Sequence, residues 1–266
     1  MPHIPAKDCS LYYTRQGQGE PLVLISGYLC DHVYWRAVVA NLSKSYQVIS
    51  FDNRGVGQST VGAGIVSIQQ MAEDTLQLLD QLNLDKVTLV GHSMGGMIAH
   101  QLALLAPKRI KHLILYCSRP HITAQSAFTM KTFLNLHHNS TEPVLNTRLI
   151  LPWVMSERFF DNEARVEQLL ELTAQNLYPM TPEIQEQHYH ALCKHDLRTE
   201  LANISVPTTL LMGSADLLVP PALSHWMAQQ IPMARYHLIE GAPHSWHLEQ
   251  PDAFNQSLQA ILKEVP

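Results

Sequence analysis

Short runs of branched apolar residues alternate with amphipathic stretches over the first part of the chain. Leu22-Val23-Leu24-Ile25, Gln47-Val48-Ile49-Ser50-Phe51, Lys86-Val87-Thr88-Leu89-Val90 and His112-Leu113-Ile114-Leu115-Tyr116 have the length and branching of buried strands. A shorter candidate, Leu11-Tyr12-Tyr13-Thr14, precedes them. After the second run, Ile68, Met71, Ala72, Leu76, Leu79 and Leu82 recur at spacings of three and four, which predicts one apolar helical face. Ser67 followed three residues later by Gln70 predicts a capping box at its start. Another helix is expected from Met97 to Leu105, stopped by Pro107. Strands alternating with helices in this way predict a parallel sheet covered on both faces, because parallel neighbours need crossover connections.

The alternation stops after Tyr116. Residues 119–205 contain no comparable strand, only helical stretches such as 159–177 and 182–192, with Pro143, Pro152 and Pro179 as turn residues. Strand patterning returns at 206–213 and again at 234–239, with helices expected near 221–230 and 253–262. The expected organisation is one α/β core, 1–118 and 206–266, holding a mostly parallel sheet. A helical cap, 119–205, is inserted after the sixth strand.

Composition narrows the class. Of 266 residues, 46% are hydrophobic and 15% charged, the balance of a packed globular chain. Eighteen basic against 23 acidic residues give a net charge of −5, which lacks the basic footprint that nucleic acid or an anionic membrane requires. Cys9, Cys30, Cys117 and Cys193 are widely spaced and include no C-x-x-C pair, so reduced thiols are expected. No basic start with an apolar stretch behind it opens the chain and no apolar run reaches membrane-spanning length, so a cytoplasmic protein is expected.

Gly91-His92-Ser93-Met94-Gly95 lies between a strand and a helix, the context of a nucleophile elbow. A side chain at either glycine would crowd the tight turn that pushes the Ser93 hydroxyl out of the sheet. A serine hydroxyl is a weak nucleophile until a base takes its proton, and that base needs an acid to hold its tautomer. Asp216 follows the 208–212 strand, and His244 follows the 234–239 strand on a Gly241-Ala242-Pro243 turn. Both stand in the expected order of serine, acid and histidine. The plainer reading of Asp216 is a carboxylate capping the turn before Pro220. His247, His237 and His92 compete with His244, with core or surface placement as their default. Two backbone amides, of Tyr28 in the loop after the 22–25 strand and of Met94 at the helix start, are the expected oxyanion donors, each worth about 3–4 kcal/mol to the transition state.

These motifs resemble those of the α/β-hydrolase superfamily, and the likeness covers nearly the whole chain. Asp52-Asn53-Arg54-Gly55-Val56-Gly57-Gln58-Ser59 is similar to the family's Asp-x-Arg-Gly-x-Gly-x-Ser segment. Gly213-Ser214-Ala215-Asp216 with Val219-Pro220 is similar to its acid loop, and Gly241-Ala242-Pro243-His244 with Glu249 and Pro251 to its histidine loop. Many relatives carry His-Gly where this chain has Ser26-Gly27. Ser93 separates it from the dehalogenases and epoxide hydrolases of the fold, which use aspartate there. The resemblance implies an α/β-hydrolase fold and cofactor-independent hydrolysis of a carboxylic ester, as in small carboxylesterases, 3-oxoadipate enol-lactonases and pimeloyl-ACP methyl ester esterases.

The insertion supplies Phe128, Phe133, Leu134, Leu136, Leu149, Ile150, Leu151, Trp153, Val154, Met155, Phe159 and Phe160. Half or more should form the insertion's own core, and the remainder could line a pocket suited to an uncharged or amphiphilic ester. His188, His190, Cys193 and His195 lie close in sequence but do not share one helical face, and no metal is expected there. Two other readings stay open. One is a sensor that keeps a slow triad and responds to a ligand through its cap. The other is an acyl carrier protein as partner, met by Lys131, Arg148, Arg158 or Arg165.

Overall fold

A computed structural model of the chain describes residues 2–264 apart from 141 and 143; Pro143, expected in a turn, lies outside them. The strands are β1 (His3–Ala6), β2 (Cys9–Gln16), β3 (Pro21–Ile25), β4 (Gln47–Phe51), β5 (Val87–His92), β6 (Ile110–Tyr116), β7 (Thr208–Gly213) and β8 (Ala234–Ile239). They form one sheet in the order β1-β2-β4-β3-β5-β6-β7-β8. From β3 to β8 every pairing is parallel. The sheet is mostly parallel, as expected, with antiparallel pairing at one edge, where β1 pairs with β2 and β2 with β4. Only Lys7 and Asp8 separate β1 from β2, too short a connection for a crossover, so the chain turns back with Lys7 at φ 25°.

The central strands are buried on both faces, as their unbroken apolar runs require. Leu22 to Ile25, Leu89, Val90, Leu113 to Leu115, Leu210 and Leu211 are fully enclosed. Helices α1 (Arg36–Leu42), α2 (Ile68–Gln81) and α3 (Met94–Leu105) cover this core, α2 packing on α3. Ser67 Oγ accepts the Gln70 N–H at 3.0 Å and so caps α2. The Gln70 side chain completes no box; its Nε2 donates to Asp74 Oδ1 at 3.2 Å.

Five helices separate β6 from β7: α4 (Ala124–His138), α5 (Leu145–Val154), α6 (Glu157–Phe160), α7 (Glu163–Ala174) and α8 (Pro182–Lys194). The helix expected over 159–177 is two helices. Asn162 leaves helical geometry at φ −114°, ψ 84°, and its side chain accepts the Arg165 N–H to start α7 afresh. Pro152 lies inside α5, where its helical φ fits and it forfeits one ladder bond near the helix end. Leu151, Met155, Phe159 and Leu170 form a small apolar cluster apart from the main core. Phe128, by contrast, is 76% exposed, and Trp153, 37% exposed, meets Phe133 edge-on at 5.9 Å, so part of the insertion's apolar supply stays at the surface. The fold closes with α9 (Pro221–Gln230), α10 (Trp246–Glu249) and α11 (Pro251–Lys263), which packs on α1. No helix among the described residues is long and apolar enough to cross a membrane.

Two features hold the loops at the carboxyl edge of the sheet. Arg54 is fully buried and donates to both oxygens of Asp74, at 2.8 and 2.7 Å, and to Asp8 at 2.7 Å. Its carbonyl bonds His188 Nε2 at 2.8 Å, fixing α8 to this loop. Asp52, also fully buried, accepts the backbone N–H of His32 at 2.7 Å and of Gln58 at 2.9 Å. The Asp-x-Arg segment is therefore a brace, with its charge neutralised internally.

Burial also keeps many imidazoles neutral. It holds His100 and His247 down to about 3, and His112, His188 and His195 to about 4. In the unfolded chain these groups return to about 6.5. Their depressed folded values stabilise the protein fully above pH 6.5, and the contribution is lost as pH falls toward 4 and below, where the unfolded state takes up protons that the folded state refuses. The urea midpoint should therefore drop between pH 6.5 and 4, as the unfolded state takes up these protons. A midpoint that stays level from pH 7 to pH 4.5 would contradict this.

Candidate active site

Ser93 sits between β5 and α3 with φ 53° and ψ −115°, a left-handed conformation rare outside glycine. Neighbouring backbone dictates the glycines around it. A Cβ on Gly91 would meet the Gly95 carbonyl and stand 2.7 Å from Gly96 Cα, and one on Gly95 would meet the Ile25 carbonyl and stand 2.8 Å from Ser26 O. The turn is thus pressed against both its own helix and the end of β3. The Ser93 N–H donates to Tyr116 O at 3.0 Å, and Ser118 Oγ donates to Ser93 O at 2.8 Å, which ties the elbow to the end of β6. Ser93 remains partly accessible, whereas Met94, the first residue of α3, is buried.

The loop after β3 comes to the same place. A Cβ on Gly27 would stand 3.3 Å from Ser93 Cβ and 3.0 Å from His92 Nδ1, so any larger residue fits here if these side chains give way by a few tenths of an ångström. Ser26 is fully buried and donates its hydroxyl to Asp31 O at 3.0 Å, folding the loop back on itself. Tyr28 follows, and its hydroxyl donates to Gln185 O at 3.0 Å, reaching α8 of the insertion.

Asp216 and His244 arrive on the loops after β7 and β8 and meet directly. His244 Nδ1 bonds Asp216 Oδ2 at 2.8 Å, with both residues 3% exposed. The other oxygen, Oδ1, accepts the N–H groups of Leu218 and Val219 at 2.9 and 2.8 Å. Asp216 thus holds its own turn with one oxygen and a histidine with the other, so both sequence readings apply together. A bond from Ser93 Oγ to His244 is not present among the described residues; such bonds are often long without substrate.

The other histidines separate cleanly. His247 is fully buried, its Nδ1 on the Tyr116 hydroxyl at 3.2 Å, and it makes no contact with Asp216 among the described residues. His237 lies on β8, 3.8 Å from Glu264. His188, His190 and Cys193 diverge: the first bonds Arg54 O, the second stands 3.8 Å from Glu186, and Cys193 is exposed. His195 is buried elsewhere, near His100.

The contacts that three residues make here were not legible in the sequence. His92 Nε2 bonds the His244 carbonyl at 3.0 Å and its ring packs against the His244 ring, tilted, with centroids 4.7 Å apart. Burial holds His92 well below its ordinary range, so its Nε2–H is the neutral donor in that bond. Cys117, at φ 46°, lies beside the pair, its Sγ, an Asp216 oxygen and a His244 nitrogen all within 4.8 Å of one another. Among the described residues this is the sole group of three metal-capable side chains so close, but burial and the neighbouring Asp216 charge push the Cys117 thiol upward, which disfavours the thiolate. Glu249 accepts from the Ser156 N–H and hydroxyl at 2.9 and 2.6 Å, joining the histidine loop to α6. Its spacing after His244 was the only signal in the sequence.

Comparison with known proteins agrees with this architecture. A family profile described as alpha/beta hydrolase fold matches residues 20–251. A chain of Azorhizobium caulinodans, provisionally named the carbamate hydrolase RutD, is 29% identical over 100% of this chain and 99% of its own. The 3-oxoadipate enol-lactonase 1 of Acinetobacter baylyi is 29% identical over 93% of this chain and 91% of its own. Among solved structures, a thermophilic esterase from Thermogutta terrifontis superposes with a TM-score of 0.86 at 26% identity, covering 98% of each chain. With the elbow, the sheet order and the family profile in agreement over most of its length, the chain belongs to the alpha/beta hydrolase fold family and is a hydrolase of that type.

Proposed function

We propose that this chain is a serine hydrolase of carboxylic esters, acting through Ser93, His244 and Asp216 and an acyl-enzyme. The observation that carries the reading is the buried Asp216–His244 bond of 2.8 Å on the loops beside the strained Ser93 turn. His244 Nε2 takes the Ser93 proton as Oγ attacks the carbonyl carbon. The carbonyl oxygen becomes an oxyanion facing the amides of Tyr28 and Met94. Collapse expels the alcohol, which receives its proton from His244; water, deprotonated by His244, then attacks the acyl-enzyme, and Ser93 Oγ leaves with the returned proton. Asp216 keeps the Nδ1 proton in place and stabilises the imidazolium. Nothing in this sequence requires a metal or organic cofactor.

Residues 119–205 act as a cap over this site in the same reading. Support comes from the Tyr28–Gln185 and Ser156–Glu249 bonds, which join the insertion to the oxyanion loop and the histidine loop.

Hydrolysis of p-nitrophenyl esters from acetate to palmitate tests this. Wild-type protein should show turnover that peaks at one acyl length, and Ser93→Ala should lose at least about a thousandfold in kcat while keeping its fold by circular dichroism. Retention of the wild-type rate by Ser93→Ala overturns the assignment. His244→Ala should fall as far as Ser93→Ala, and His247→Ala much less, since burial keeps His247 neutral at pH 7 and away from Asp216. The reverse ranking would make His247 the base.

A further inference from the structure

The pattern Gly-x-Ser-x-Gly leaves the residue before the serine free, and here it is a histidine whose side chain turns inward. His92 is 2% exposed and lies among Tyr34, Trp35, Tyr116 and His247, with ring centroids 4.8 to 6.3 Å away. Its Nε2 stands 3.0 Å from His244 O. A carbonyl oxygen can only accept, so Nε2 carries the proton and Nδ1 a lone pair. That Nδ1 is buried and has no hydrogen-bond partner among the described residues. A buried acceptor without a donor costs free energy, and an apolar side chain among these aromatic rings would avoid the cost. What the histidine supplies in return is the N–H on the other side of its ring.

That N–H fixes His244 at a second point. Asp216 holds the imidazole at Nδ1, 2.8 Å away, and His92 holds the main chain of the same residue. The residues that follow are secured separately, Ser245 Oγ at 2.8 Å from the Tyr34 hydroxyl and the His247 N–H at 3.2 Å from the Tyr116 hydroxyl. Tethered at both ring and backbone, the His244 imidazole keeps few ways to turn. His92 is also joined to Ser93 by one peptide bond, which sets their Cα atoms about 3.8 Å apart. The anchor of His244 and the Ser93 turn therefore move as one, and Ser93 is itself held by its N–H bond to Tyr116 O at 3.0 Å. Burial keeps His92 uncharged. A cation there, with its ring 4.7 Å from that of His244, would oppose an imidazolium forming on His244.

We propose that His92 is a positioning residue: its Nε2–H, acting through His244 O, sets the place of the His244 imidazole against Ser93 for proton transfer. This rests on the ester-hydrolase reading and deepens it by naming the group that registers the base to the nucleophile. Proton transfer between side chains tolerates little misplacement, about 1 Å being enough to cost about a hundredfold in rate. Loss of the tether therefore acts on kcat. His92 is enclosed beneath the site and does not reach the substrate, so KM stays as it is.

The variants His92→Gln and His92→Met separate the donor from the ring. Both remove the imidazole and put a side chain of similar length in its place, but only glutamine brings an N–H to where Nε2 stood. Active sites are counted by stoichiometric labelling of Ser93 with a fluorophosphonate, so that kcat refers to folded protein alone. On the p-nitrophenyl ester that wild type turns over fastest, His92→Met should lose about tenfold or more in kcat with KM within about twofold, and His92→Gln should stay within about threefold of wild type. A wild-type kcat in His92→Met, equal losses in the two variants, or a change in KM alone overturns the positioning role. Nitrogen-15 NMR of the wild-type protein tests the bond without any variant: His92 should be a neutral imidazole protonated at Nε2, and a proton on Nδ1 instead overturns the proposal even where neither variant folds. If wild type shows no Ser93-dependent turnover of any ester, the reaction reading fails. The rate of fluorophosphonate labelling then decides the tether alone: slower labelling of His92→Met than of His92→Gln supports it, and equal rates or no labelling overturn it.

Discussion

Parallel pairing from β3 to β8 is the constraint on which everything else depends. Strands that run the same way deliver their following loops to one edge of the sheet, so residues far apart in the chain meet there. Ser93 follows β5, Arg119 follows β6, Asp216 follows β7 and His244 follows β8. Tyr28 and the Asp52-to-Ser59 brace follow β3 and β4. No local rule brings 28, 93, 216 and 244 together; the direction of the strands does. The energetic cost of that convergence falls on the loops, which must turn sharply and satisfy their own polar groups. It is met by glycine at 27, 91 and 95, by Ser26 bonding Asp31, and by Asp216 holding two amides of its own turn.

Much of this was legible in the chain because the informative features are short-range. A branched apolar run of five residues can hardly be other than a buried strand, and Gly-x-Ser-x-Gly between such a run and a helix fixes the elbow. The edge hairpin was hidden because β1 has four residues, one of them Pro5, and carries too little pattern to register. The break between α6 and α7 was hidden because Asn162 acts through its backbone conformation while the apolar spacing continues past it. His92 and Cys117 were invisible for another reason. Their relation to His244 and Asp216 crosses strands and exists only once the sheet has formed. Arg119 looked like one cation among many, and its burial sets it apart.

The histidine content has a common physical root. His92, His100, His188, His195 and His247 lie where β-strand ends and inserted helices enclose them, and burial leaves several ring nitrogens without partners, among them both of His100. Such groups can stay uncharged near neutral pH at modest cost, which a lysine or arginine at the same positions could not. They let polar residues occupy the interior around the site without placing charge there.

The seating of the inserted helices has a mechanical consequence. Ser245, the residue after His244, donates its N–H to Val154 O at 2.9 Å, Arg165 donates to Leu248 O at 2.8 Å, and Ser156 bonds Glu249 twice. On the far side α8 is pinned by His188 to the Arg54 loop and by Gln185 to Tyr28. An arch fastened at both feet cannot swing away as a rigid door. Any large displacement of these helices would pull on the backbone that positions His244.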